Sequence, residues 1–169
     1  MAFPMPRILL PALLMVIASL AGCAGSDTGT FTLHATDAPD DIGDFSALTV
    51  TVTSIDLTMK GGGVTSYAPS SSTFDLTKLT SGNTTTLFHD QVKAGNYTRL
   101  ELKVQDASGI LKAGGKAAAV KAPSGTLFVL QDFTVAAGRE TTFTFDLQVH
   151  MEGNGSYIFK PNAGGSHLG

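Results

Sequence analysis

An all-β fold, an antiparallel β-sandwich, is what this sequence predicts, and three observations predict it. No segment sustains eleven residues of 3.6-residue periodicity, whereas two-residue alternation of apolar and polar side chains recurs along the chain. Turn-forming clusters interrupt that alternation about every eight to twelve residues, which marks about eight to ten short strands. Thr and Gly are abundant, as pleated strands joined by tight turns require.

The first element is a leader. Arg7 precedes an apolar run from Ile8 to Leu20, broken only by Pro11 and Ser19. That run is shorter than the roughly 17–25 residues of a membrane-spanning helix, and it ends in small residues, as a secretory signal peptide does. The order Leu20-Ala21-Gly22-Cys23 resembles the lipobox of prokaryotic lipoproteins. The resemblance implies cleavage after Gly22, removing residues 1–22, and a diacylglyceryl group on the Cys23 thiol. Two or three acyl chains, at about 0.8 kcal/mol per buried methylene, would hold the protein on a membrane where one chain would not. The plainer alternative is an ordinary signal peptide followed by an incidental cysteine. Cys23 is the only cysteine in the chain, so no disulfide is possible. Residues 23–29 then form the lipidated cysteine and a short small-residue tether. Ala24 after the cysteine resembles the default that directs lipoproteins to the outer membrane of a diderm cell.

Loss of Arg7 with the leader would leave ten basic against fourteen acidic residues. An acidic balance argues against nucleic acid and against a polybasic lipid-binding face. The chain beyond the leader is long enough for one domain, predicted over 30–161, with a core that needs no disulfides.

Phe31, Leu33 and Ala35 alternate with Thr32 and His34, giving the first strand. Thr36-Asp37-Ala38-Pro39-Asp40-Asp41 is a turn, its aspartates suited to side-chain capping. Leu48, Val50 and Val52 alternate with threonines, and the phase then slips to Ile55, Leu57 and Met59, which predicts a β-bulge at Thr53-Ser54. Gly61-Gly62-Gly63 turns the chain into Val64 to Tyr67 as a hairpin. Pro69 to Thr73 is a serine-rich loop, and Phe74 to Leu79 is too short for its pattern to choose an element, a strand end followed by a helical turn being one fit. Thr84 to Phe88 is a further strand. Ala94-Gly95-Asn96 leads into Tyr97 to Val104, where Leu100, Leu102 and Val104 face inward. Short strands at Ile110-Leu111 and Ala117 to Lys121 flank the Gly114-Gly115 turn. Thr126 to Val135 is the next strand, and then Phe143, Phe145, Leu147 and Val149 alternate with Thr144, Asp146, Gln148 and His150 in the strongest strand pattern of all. Gly153-Asn154-Gly155 is a hairpin signal before Ser156 to Lys160. Residues 162–169 read as a frayed, flexible tail.

Several of these pieces, in this order, resemble the DUF4382 family. They are Leu33 followed by Thr36-Asp37-Ala38-Pro39, Phe74-Asp75-Leu76, Ala94-Gly95-Asn96-Tyr97-Thr98-Arg99-Leu100, Phe133 to Gly138, Phe143 to Asp146 and Gly153 to Pro161. The resemblance implies a prealbumin-like or immunoglobulin-like sandwich on a cell surface, with no established activity. The Gly/Ala-rich stretch from Ala113 to Ala119 departs from the family pattern.

Asp37, Asp40 and Asp41, with Asp44 nearby, form the densest acidic cluster, and calcium is the cofactor such a turn would take. The spacing is not that of an EF-hand, and a solvated, self-capped turn is the plainer reading. Asp146 sits on the polar face of its strand and would approach this turn in some topologies. His34 and His150 would form a surface metal pair if their strands were neighbours. Tyr67, beside the serine loop, is the candidate for contact with a glycan or protein partner, with a rim tyrosine as the plainer reading. No nucleophile elbow, zincin helix or phosphate loop occurs, and Glu101 and Glu140 have nothing that pairs them for glycosidase chemistry. The expectation is therefore a lipid-anchored, extracytoplasmic binding or interaction module and not an enzyme. Its alternative is a calcium- or small-ligand-binding accessory lipoprotein.

Overall fold

The computed structural model describes residues 27–37 and 40–169. The leader, the lipobox with Cys23, and residues 24–26 of the tether lie outside the described residues, as do 38 and 39. Twelve strands form among the described residues, in chain order β1 (Thr28–Asp37), β2 (Phe45–Met59), β3 (Val64–Tyr67), β4 (Thr73–Asp75), β5 (Thr85–Lys93) and β6 (Gly95–Val104), followed by β7 (Ala107–Leu111), β8 (Ala117–Lys121), β9 (Thr126–Val135), β10 (Glu140–Met151), β11 (Tyr157–Pro161) and β12 (His167–Leu168). Single 3-10 turns at Asp41–Asp44, Leu76–Lys78 and Pro123–Gly125 are the helical content among the described residues. The fold is all-β, as the alternation predicts.

The strands join in one open sheet in the order β5-β1-β10-β11-β8-β7-β2-β6-β9, with β3 and β4 on β2 and β12 on β10. The sheet folds over on itself, so that β1 and β10 face β6 and β9 across a common core. Phe133 of β9 stacks on Tyr97 of β6 at 5.2 Å and meets Phe31 of β1 and Phe143 of β10, each at 5.6 Å between ring centroids. Offset and tilted aromatic pairs of this kind add about 0.5–1.5 kcal/mol each beyond the area they bury. The inward series Phe143, Phe145, Leu147 and Val149 is fully buried, as are Leu100 and Leu102 of β6.

The predicted bulge is real. The pairing of β2 with β6 shifts register between Val52 and Ser54, leaving Thr53 as the extra residue. There the long β2 changes neighbour, from β7 along its first residues to β6 along its last. The Phe74–Leu79 stretch, which the sequence leaves open, is a strand end and a helical turn. Asp75 fixes it: its Oδ1 accepts the Thr77 N–H at 3.1 Å, the Thr77 hydroxyl at 2.7 Å and the Leu48 N–H of β2 at 3.2 Å. Gly109 of β7 lies flat against the Phe45 ring, where any Cβ would collide.

Two features depart from the sequence reading. The sheet is mixed, because β1 pairs with β10 and β11 pairs with β8 in parallel. The ending read as a frayed tail is seated on β10: β12 pairs with Phe143 and Thr144, and Ser166 is buried. A ring of hydrogen bonds holds it. Asn162 Nδ2 donates to Asp146 Oδ2 at 3.0 Å, the Asp146 N–H donates to Ser166 Oγ at 3.0 Å, and Ser166 Oγ donates to the Asn162 carbonyl at 2.9 Å. Thr144 and Asp146, read as solvent-facing, are consequently buried.

Candidate functional site

One candidate site lies at the end of β1. The chain enters the domain at the other end, where Gly138 and Arg139 pair with the first residues of β1. Ten residues at about 3.3 Å each put Asp37 roughly 30 Å from that entry point. Beyond it the 3-10 turn Asp41–Asp44 packs on the end of β10, with Ile42 buried beneath it. Asp41 Oδ2 accepts the backbone N–H of Met151 at 2.6 Å. At the far side of the turn, Asp44 Oδ2 accepts the Tyr157 hydroxyl at 2.9 Å. The turn is thus tied down at both ends, and its acidic side chains are presented from a fixed backbone.

Asp40 and Asp41 converge on His150, whose Nδ1 lies 3.3 Å from Asp40 Oδ2 and 3.8 Å from Asp41 Oδ2. One ligand atom from each of the three falls within 4.8 Å of the others. Asp37 does not join that triad. It is 4 % exposed, and neither of its carboxylate oxygens accepts a hydrogen bond from the described residues. Burial, then the charge of Asp146, then that of Asp40, push its carboxyl up to about 7. The expected approach of Asp146 is therefore seen, across the register pair Thr36–Asp146.

The predicted histidine pair does not form. β1 and β10 are neighbours, but His34 stands opposite Thr144 and shares a hydrogen with the Thr86 hydroxyl at 3.1 Å, while His150 lies past the end of the pairing. His150 finds the aspartates instead. Sequence reading placed both halves of this triad in view without joining them, because the parallel β1–β10 register that brings them together leaves no local signal. Tyr67 sits half-buried with its ring 5.2 Å from Phe88, and Cys23 lies outside the described residues.

A second candidate surface is the outer face of β3, β2, β6 and β9. Arg99, Glu101 and Lys103 project from β6, Arg99 pairing with Glu101 and Lys103 with Asp56 at 2.9 Å. The Arg99 guanidinium lies 3.9 Å over the Phe128 ring. Phe128 is 40 % exposed, Leu130 beside it 70 %, and Val64 across the face 62 %. β9 ends the sheet, and among the described residues no strand pairs with its outer edge. The other end strand, β5, is partly covered, since the Leu87 carbonyl accepts the Ser70 N–H at 2.7 Å from the serine loop.

Residues 28–161 match the family model described as "Domain of unknown function (DUF4382)". No curated protein matches the chain. Among solved structures, the chain is similar to a protein from Eubacterium rectale determined by NMR, with 15% identity over 84% of this chain and 95% of that one and a TM-score of 0.28. It is also similar to part of a leucine-rich repeat protein from Bacteroides thetaiotaomicron VPI-5482, with 14% identity over 75% of this chain and 14% of that one and a TM-score of 0.30.

Proposed function

The chain belongs to the DUF4382 family, and we propose that it is an extracytoplasmic, lipid-anchored module that acts by binding a protein partner. The observation that carries this reading is the β9 edge with its outer face. A ten-residue end strand without a neighbour is a template for strand addition, which soluble proteins ordinarily cover, shorten or charge. Here it carries Phe128 and Leu130 outward, and Asp132 is its one charged residue. An exposed aromatic ring under an arginine, next to a large aliphatic residue, is the composition of an interface centre, and the Glu101, Lys103 and Asp56 charges would form its polar rim. The lipobox resemblance supports attachment through Cys23, with the sandwich rising from its entry end and β9 running along its height.

A photo-crosslinking residue placed at Leu130 of the full chain on intact cells tests the reading. A discrete adduct is expected from Leu130 and from Phe128, and none from Gln91 on β5. Absence of an adduct at both β9 positions, or the same adducts at Gln91, overturns it. A Phe128→Asp, Leu130→Asp double substitution is expected to remove the adduct formed from Val64.

A further inference from the structure

We propose that Asp40, Asp41 and His150 form a binding site for one divalent transition cation of the zinc or manganese kind. Bonds of about 2.0–2.2 Å to a shared ion separate neighbouring donors by roughly 3–4 Å. The two distances to His150 Nδ1, 3.3 and 3.8 Å, already fall in that range. All three ligand atoms lie within 4.8 Å of one another. An imidazole nitrogen beside two carboxylates separates this site from the calcium turn that the aspartates alone suggest. Calcium takes oxygen donors, whereas zinc accepts imidazole alongside carboxylates; manganese, at home with carboxylates, is the second candidate. The backbone N–H of Met151 donates to the same Asp41 Oδ2 that faces His150, which fixes the orientation of that carboxylate and leaves the oxygen's second lone pair for an ion.

An independent feature points to a cation here. Asp37, three residues before Asp40, is almost fully buried with no hydrogen-bond donor on either oxygen among the described residues, and lies near enough to Asp40 to feel its charge. A buried carboxyl without donors is destabilising, because its desolvation is not compensated. Among the described residues no lysine or arginine forms an ion pair with Asp37, Asp40 or Asp41. The cationic group that does pair with this end of the fold is His150, and only when protonated. An ion held by Asp40, Asp41 and His150 would supply the missing positive charge to the whole acidic end. The competing account is a plain, partly exposed His150–aspartate ion pair, which is worth little by itself and binds nothing.

The test is calorimetric titration of the metal-stripped full chain in detergent with zinc, manganese and calcium chlorides in turn. Zinc or manganese is expected to bind one ion per chain, with a dissociation constant in roughly the micromolar range. His150→Ala and Asp40→Asn are each expected to weaken that binding about tenfold or more, and His167→Ala in the C-terminal strand to leave it unchanged. Melting of each variant without metal verifies its fold, and His150→Gln replaces the alanine variant if that one fails to fold. Three outcomes overturn the proposal: no one-to-one binding of either transition ion, binding that survives loss of His150, or calcium bound as tightly as zinc.

Discussion

Asp37 is the last residue of β1 and is buried like Phe31, Leu33 and Ala35 before it, so a carboxyl occupies a place where the strand has until then put carbon. Its raised pKa has a stability consequence with a definite sign. Between the ordinary carboxylate value of 3.8 and about 7 the folded chain binds this proton and the unfolded chain has lost it. Rising pH through that window therefore destabilises the fold, by at most roughly 4 kcal/mol once both values are passed. Asp37→Asn, which keeps the shape and removes the charge, is expected to raise the melting temperature at pH 8 by several degrees in the presence of a chelator. At pH 4 it should change little. Melting curves at the two pH values check this; equal effects at both would mean that the carboxyl ionises freely in the fold. The aspartates of this turn were legible in the sequence as an acidic cluster, but the burial of Asp37 was not. The alternation of β1 does carry position 37 onto the inward face after Phe31, Leu33 and Ala35, but its polar side chain reads as a turn, and the parallel pairing that extends β1 to Asp37 opposite Leu147 leaves no local signal.

Strands held by local alternation and turns held by glycine were the elements that sequence could read. The slip of phase after Val52 locates the bulge at Thr53, whereas the turn capped by the Asp75 carboxylate is too short for its pattern to show. Pairings between distant strands were beyond it. β1 meets β10 in parallel across more than a hundred residues, and the same pairing decides that His150 faces Asp40 and not His34. The C-terminal strap gives no local sign of its pairing, because its sequence, Asn-Ala-Gly-Gly-Ser-His, has the composition of a loose end. Its order comes from polar bonds to Asp146. Gly165 shows how close the fit is, since a Cβ there would overlap the Asp146 carboxylate and the Asn162 amide. Gly165→Ala is accordingly expected to lift the strap, uncover Asp146 and Thr144, and destabilise the domain by about 1–3 kcal/mol. Hydrogen exchange would show faster exchange at the Asp146 and Gly169 amides while β6 stays protected. Unchanged exchange at both amides would mean the strap is held elsewhere.

At the scale of the whole molecule, the two candidate surfaces are disposed around one entry point. The chain comes in beside Ala94 and Gly138, the acidic end lies at the opposite end of β1, and β9 runs between those levels from Thr126 to Val135. Held by an anchor at Cys23, with only a few small residues before β1, such a domain would stand close to a membrane with Asp40, Asp41 and His150 pointing away from it. Its open edge would then be turned sideways toward neighbouring surface proteins. The arrangement depends on Cys23 carrying lipid, and that is directly measurable. Cells expressing the full chain and fed an alkyne-bearing fatty acid are expected to label it, and Cys23→Ser to abolish the label. A leader left uncleaved in the serine variant could still keep it at the membrane, so the covalent label is the decisive quantity and not fractionation. Wild-type protein that is processed before Cys23 yet carries no label would leave a secreted domain with a free thiol. In that case β9 would have to find its partner in solution, without the confinement to a membrane plane that raises the local concentration of a tethered pair.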